Sequence, residues 1–239
     1  EVREFLENDL GPAGLARSVV VVSTSDAPPV ERLRAAFVAT RIAEHFRDAG
    51  RHVVLMMDSL TRVAMAQREL GLSAGEPPAT RGYPPSVFAL MPRLLERAGT
   101  SPSGSITGLY TVLVEGDDLQ DPVGDTARAI LDGHIVLSRR LATAGHFPSI
   151  DVLVSISRVS QAVTLPQQRE DAVRLRRMMA AHRDVRELVE IGAYVSGSDA
   201  DADAALARMP LIDGFLRQSL DDLTPLDDTR RRLNELVTP

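Results

Sequence analysis

Four short apolar runs rich in β-branched residues constrain the fold of this 239-residue chain more than any other feature: Val19 to Ser23, Val53 to Met57, Ile106 to Val114 and Ile150 to Ile156. They lack clean alternation of apolar and polar residues, the pattern of strands covered on both faces. Between the first two, Val30 to Ala49 places apolar side chains at Val30, Leu33, Phe37, Ile42 and Phe46, close to helical spacing, and Gly50 follows as a stop. Strand, helix of about five turns and strand make a βαβ crossover. A second helical stretch from Asp125 to Ala144 separates the later pair of strands. The expected core is therefore an α/β parallel sheet with helices on both faces.

After Pro166 the pattern changes to Arg-rich and Ala-rich helices over Gln167 to His182, Val185 to Ile191, Ala200 to Arg208 and Leu211 to Gln218, with no strand among them. This divides the chain into an α/β part over residues 1–165 and a small helical domain over 166–239. The stretch Gly71 to Pro85, dense in glycine and proline, reads as a long loop, and long loops in compact domains are often functional. Gly99 to Gly104 reads as a flexible tip, and Asp221 to Asp228 as a surface loop before a last short helix.

Composition narrows the function. No run approaches the roughly 18 apolar residues of a membrane span, cysteine is absent, and no secretory signal pattern opens the chain, so a cytosolic setting is expected. The net charge of -6 offers no general attraction to nucleic acid. All 27 basic residues are arginine, so a P-loop of the form G-x-x-x-x-G-K-[ST] cannot occur within these residues. Glu1-Val2-Arg3-Glu4-Phe5-Leu6 reads as helix rather than as a natural start, and the chain is expected to be a piece of a longer one.

Asp58 follows the apolar run His52 to Met57, which puts its carboxylate at the C-terminal end of a strand, where open α/β sheets place ligands. Hydrophobic residues followed by Asp form the Walker B pattern, whose carboxylate holds Mg²⁺ or its water. An Asp there is equally suited to cap the helix beginning near Leu60. Arg158, just past the last apolar run, fits either stabilisation of charge on a transferring phosphoryl group or a structural salt bridge. Arg62, Glu76, Arg81 and Tyr83 lie in or beside the long loop, and taken singly are solvated residues. His134 and His146 lie too far from acidic pairs to form a metal site. Glu115, Asp117, Asp118 and Asp121 fit either cation binding or, better, an exposed acidic turn.

Six segments together resemble the type III protein export ATPases, the flagellar and injectisome relatives of the rotary ATP synthase β subunit. They are Asp58 to Arg62, Ala66 to Glu69, Gly75 to Ser86, Val114 to Asp118, Leu131 to Arg139 and Ser155 to Val159, and the likeness covers about residues 1 to 218. The resemblance implies a RecA-like nucleotide-binding domain, present here in its latter part, then a helical C-terminal domain; a β-barrel, the P-loop and the water-polarising glutamate are expected upstream. Glu1 resembles a later glutamate of that stretch, without the catalytic role.

By the same resemblance, Asp58 is the Walker B aspartate and metal contact, Arg62 the arginine that faces the phosphates, and Arg158 an arginine finger reaching a neighbouring subunit's nucleotide. Phe147 takes the place of the aromatic that stacks on adenine. Leu220 takes the second face of that pocket, where the synthase β subunit has an aromatic. The segment Gly197 to Asp203 replaces the synthase's rotor-contacting acidic loop. With Ile106 to Tyr110, it leans toward the flagellar branch.

The implied cofactors are ATP and Mg²⁺, and the implied assembly is a homohexamer. Implied partners are export chaperones and substrates, central stalk and peripheral regulator proteins, and a membrane export gate contacted from the cytoplasmic side of the bacterial membrane. Two rival readings stand beside it. One is a noncatalytic subunit that supplies only Arg158 in trans. The other is a RecA-like nucleic-acid motor, against which the acidic balance and scarcity of aromatics argue.

Overall fold

A computed structural model of the chain describes residues 2–114, 116, 118 and 120–238. They divide into two compact units, one ending at Leu131 and the other starting at Asp132. The first opens with short helical segments, α1 (Val2–Glu4), a π-helical turn (Phe5–Leu10) and α2 (Gly11–Leu15). Then come α3 (Pro29–Asp48), β1 (His52–Met57), α4 (Leu60–Ser73), α5 (Pro85–Leu95), β2 (Gly99–Thr100), β3 (Ser105–Tyr110) and α6 (Pro122–Ile130).

Of the expected βαβ crossover, the helix and the second strand are present as α3 and β1, and β1 runs parallel to β3 in a register that pairs Val53 with Ile106 and Met57 with Tyr110. Helix α3 buries Ala36, Thr40 and Ala43, a stripe of small residues at helical spacing that lets its backbone lie close to Leu55 and Ile106 on one face of the sheet. On the other face Val54, Met56 and Leu109 are exposed. The larger core lies around α4, α5 and α6. Leu60, Val87, Met91, Leu94 and Val123 there are fully buried, and each such side chain contributes about 1.5–3 kcal/mol.

The structure corrects several local expectations. Val19 to Ser23 is not a strand: it pairs with no described residue, and Val19, Val20 and Val22 are all exposed. β-branched composition favours extended backbone, but only a ladder partner makes a strand. Gly99 to Gly104 is a hairpin in which β2 pairs antiparallel with β3, closed by the Ser101 N–H on the Gly104 carbonyl at 2.8 Å. Helix α4 extends to Ser73, into the stretch read as loop, and a single 3₁₀ turn over Thr80–Gly82 lies within the remainder.

The second unit starts with β4 (Gly133–His134), α7 (Arg139–Thr143), β5 (Ile156–Ser157) and α8 (Ser160–Val163). The helix expected over Asp125 to Ala144 is therefore broken, because Gly133 and His134 pair antiparallel with Ser157 and Ile156. A Cβ at Gly133 would fall 2.4 Å from the Ile156 carbonyl oxygen, so only glycine permits that approach. Ile150 to Ile156 is mostly turn. The Asp151 carboxylate accepts from the Leu153 and Val154 N–H groups, and such local bonds compete with a sheet ladder.

Three longer helices complete the unit: α9 (Pro166–Glu190), α10 (Ala200–Leu216) and α11 (Leu226–Val237). Helix α9 fuses two expected helices. Helix α10 runs through Pro210, where a break was expected. The bond lost at proline is offset by the packing of Met209, Ile212 and Phe215 into the cluster around Leu175 and Val237.

Candidate functional site

Asp58 stands at the C-terminal end of β1, as its sequence position predicts, and its side chain is exposed. The helix that follows is capped by its neighbour: Ser59 Oγ accepts from the Arg62 N–H at 3.4 Å. This corrects the capping alternative for Asp58. Instead Thr111, one residue past the parallel strand β3, donates its hydroxyl to Asp58 Oδ1 at 2.7 Å and its N–H to the Met57 carbonyl at 3.1 Å. Thr111 was not singled out from the sequence. Its signal was there, a hydroxyl residue directly after the strand that neighbours the carboxylate's own.

No described residue bonds Asp58 Oδ2, and no described cluster of three His or acidic side chains forms a ready-made metal cage. A lone, oriented, water-accessible carboxylate suits Mg²⁺, which keeps several waters and takes one or two carboxylates besides phosphate oxygens. Arg62 lies in the first turn of α4, exposed, with no carboxylate partner among the described residues. Asp58 and Arg62 thus flank one helix start, a negative and a positive group facing solvent at the strand ends.

The Gly71 to Ser86 stretch is held from inside. Ser86 donates its N–H to Glu76 Oε2 at 3.2 Å, and Gln67 Nε2 donates to Ser86 Oγ at 3.0 Å. Arg68 lies over the Tyr83 ring, 5.3 Å from its centroid. Glu76 and Tyr83 therefore shape the loop. Arg81, in a left-handed backbone conformation at φ 49°, bonds Asp118 at 2.7 Å, and its guanidinium holds that carboxyl below the usual carboxylate range. Asp121 caps α6 through the Val123 and Gly124 N–H groups. Glu115, Asp117 and Glu1 lie outside the described residues.

In the second unit Arg158 is exposed directly after β5, and its N–H donates to the Asp132 carbonyl at 2.7 Å, which anchors the backbone of that position to the β4 side of the hairpin. Phe147 is exposed over more than half of its surface. Its carbonyl accepts from the Gln218 N–H at 2.9 Å. That bond ties the Phe147 segment to the loop after α10, and Leu220, two residues on, stands fully in solvent. The two residues expected to form one pocket, far apart in sequence, are thus brought onto neighbouring segments, and Gln218 is the link that sequence reasoning missed. His146 is buried and His134 Nε2 lies 3.1 Å from the Val154 carbonyl oxygen.

Residues 1–157 match the ATP synthase alpha/beta family, nucleotide-binding domain. The chain belongs to that family. Residues 164–235 match the T3SS EscN ATPase C-terminal domain. The flagellum-specific ATP synthase of Pseudomonas aeruginosa is 55% identical over 99% of this chain and 53% of its own length. The type 3 secretion system ATPase of Xanthomonas euvesicatoria is 54% identical over 99% of this chain and 54% of its own. The assembled ATPase EscN of enteropathogenic E. coli, in complex with its central stalk EscO, superposes with a TM-score of 0.89 at 47% identity, over 99% of this chain and 56% of that one. The chain spans about half the length of these relatives. Family membership and the EscN likeness establish the fold class, an α/β nucleotide-binding domain of RecA-like type followed by a helical region.

Proposed function

We propose that this chain is the Walker B and arginine-finger part of an ATPase that drives a type III protein export apparatus. The observation that carries the reading is the tandem of matches, an ATP-synthase nucleotide-binding domain followed by an EscN-type C-terminal domain. The first match ends at residue 157 and the second begins at residue 164, close to the proposed domain boundary at 165/166. Identities of 55% to a flagellar relative and 54% to a secretion relative weigh the two branches equally.

In this reading ATP hydrolysis takes place at subunit interfaces of a homohexamer, and the assembled state and stalk named for EscN support the oligomer and a stalk partner. Asp58, oriented by Thr111, would hold Mg²⁺ or its water, and the chemistry such an ion would supply is neutralisation of phosphate charge. Arg62 faces the phosphate oxygens. Arg158 stabilises charge on a neighbour's transferring phosphoryl group, a task suited to a planar guanidinium. Phe147 and Leu220 grip the adenine. Hydrolysis releases export chaperones from their substrates and promotes substrate entry into a membrane gate. No described helix is long and apolar enough to cross a membrane, and the enzyme works peripherally at the cytoplasmic face.

The test is an export assay in cells carrying Asp58→Asn in the full-length gene. Secretion of flagellar or injected proteins is expected to stop while the variant accumulates normally. Undiminished secretion would sink the reading.

A further inference from the structure

We infer that Asp171 and Asn234 are positioning residues for the base-binding loop, setting the affinity of the Phe147–Leu220 site from a distance; the inference rests on that adenine-site reading. Leu220 is fully exposed and is fixed by no packing contact. The loop over residues 217–225 is closed within by Gln218 Nε2 on the Asp222 carbonyl at 2.8 Å, so the place of that closed loop, and of Leu220 on it, depends on its two ends. One end is pinned where the Gln218 N–H meets the Phe147 carbonyl at 2.9 Å. The other end is the start of α11, a helix of 12 residues. A helix so short is marginal by itself and takes its position from what it docks against.

Among the described residues, that docking has a polar pin in its interior. Asp171 of α9 is 3% exposed, and its two carboxylate oxygens accept from Gln167 Nε2 and from Asn234 Nδ2 of α11, each at 3.0 Å. A carboxylate buried between neutral amides is not a device for stability, since apolar side chains of similar volume commonly serve as well or better. Its use is register. The surrounding apolar cluster includes Met178, Met179 and Met209, flexible side chains that fill space without specifying one alignment. Asp171 with Asn234 admits one. Arg208 Nη1 adds a second hold at the far end of α11, donating to the Leu236 and Thr238 carbonyls at 3.1 Å.

The experiment measures binding of MgAMP-PNP, and separately of tripolyphosphate, to the full-length protein. Asn234→Asp sets two carboxylates against each other and is expected to weaken MgAMP-PNP by about fivefold or more, the scale of one buried hydrogen bond, while leaving tripolyphosphate binding unchanged. Adding Asp171→Asn exchanges donor and acceptor and should restore the affinity. Arg208→Ala, which loosens only the last turn, should act in the same direction and is read alone if Asn234→Asp does not fold. The inference is overturned if the folded variants bind MgAMP-PNP as tightly as the parent, if both ligands weaken together, or if the exchanged pair restores melting temperature without affinity. Phe147→Ala separates the two levels of the argument. Unchanged MgAMP-PNP affinity there sinks the adenine-site reading itself, whereas a loss there with none in Asn234→Asp sinks only the positioning role.

Discussion

The Thr111 hydroxyl donates to Asp58 Oδ1 at 2.7 Å across the ends of two parallel strands. The bond follows from the register, because Met57 pairs with Tyr110 and the next residues out of each strand are Asp58 and Thr111. With Ser59 capping α4, the carboxylate is oriented by one neighbour and relieved of structural duty by the other. A set direction and one oxygen with no bond from a described residue suit the ligand-binding role proposed for this carboxylate.

In the full-length protein Asp58→Asn is expected to lower Mg²⁺-dependent turnover by roughly 10²-fold or more, with nucleotide binding affected less. The amide keeps the volume and still accepts from Thr111, so the melting temperature should hold. A large fall in melting temperature with unchanged turnover per folded molecule would make Asp58 a structural residue instead.

The polypeptide of residues 1–239 is expected to hydrolyse no ATP by itself. It contains no lysine to serve a P-loop, and phosphate cradling depends on that loop. Phosphate release by the purified chain settles the matter. Steady turnover that disappears in Asp58→Ala would require a different catalytic assignment.

Arg97 binds Glu44 through both carboxylate oxygens at 2.7 Å, and this holds the Glu44 carboxyl at about 2, down from 4.5. The folded state thus favours the ionised form. Its contribution, about 2 kcal/mol for a hydrogen-bonded charge pair, is complete above pH 4.5 and is lost as pH falls through 2. Glu44→Gln should be less stable by that amount at pH 7 and converge with the parent near pH 2 in denaturant titrations. Parallel stability curves across that range would show that Glu44 contributes nothing through its charge.

Helix α3, strand β1 and the strand at Ile106 were legible because apolar spacing and β-branching report burial directly. Val19 to Ser23 carried the same signal and failed, since a strand also needs a partner, which local composition does not encode. Ile150 to Ile156 failed for another reason: Asp151 folds the backbone onto its own side chain. Asp58 was legible as a strand-end residue, and Arg158 does follow a strand, but the two-residue β5 rather than the longer run from which it was read. Thr111, Gln218, Asp171 and Asn234 were not, because each acts through a contact with a residue distant in sequence, and a single sequence records neither register nor docking.

Gly71→Ala tests the packing of the long loop. The added Cβ would lie 2.8 Å from Pro84 Cγ and 2.9 Å from Ser86 Oγ. The proline ring cannot turn aside, so the overpacking, about 1–3 kcal/mol, exceeds the gain of about 1 kcal/mol from alanine's helix propensity. Net destabilisation is expected in thermal melts. A higher melting temperature would mean the loop is free to move away from α4.

Arg158 follows a short hairpin strand, and its backbone N–H is fixed to the Asp132 carbonyl, so the residue occupies an anchored, exposed position. As a finger it should act on the nucleotide of a neighbouring subunit, and Arg158→Ala in the full-length hexamer should cut turnover by about 10³-fold or more. An exposed substitution of this kind should shift stability by less than about 1 kcal/mol. Mixing inactive Arg158→Ala subunits with inactive Asp58→Ala subunits distinguishes action in trans from a local role. Some interfaces of the mixed ring pair an intact Asp58 with an intact Arg158, and activity should partly return. A residue serving its own subunit's site would give no recovery, and a structural one would lower the melting temperature of Arg158→Ala before any mixing.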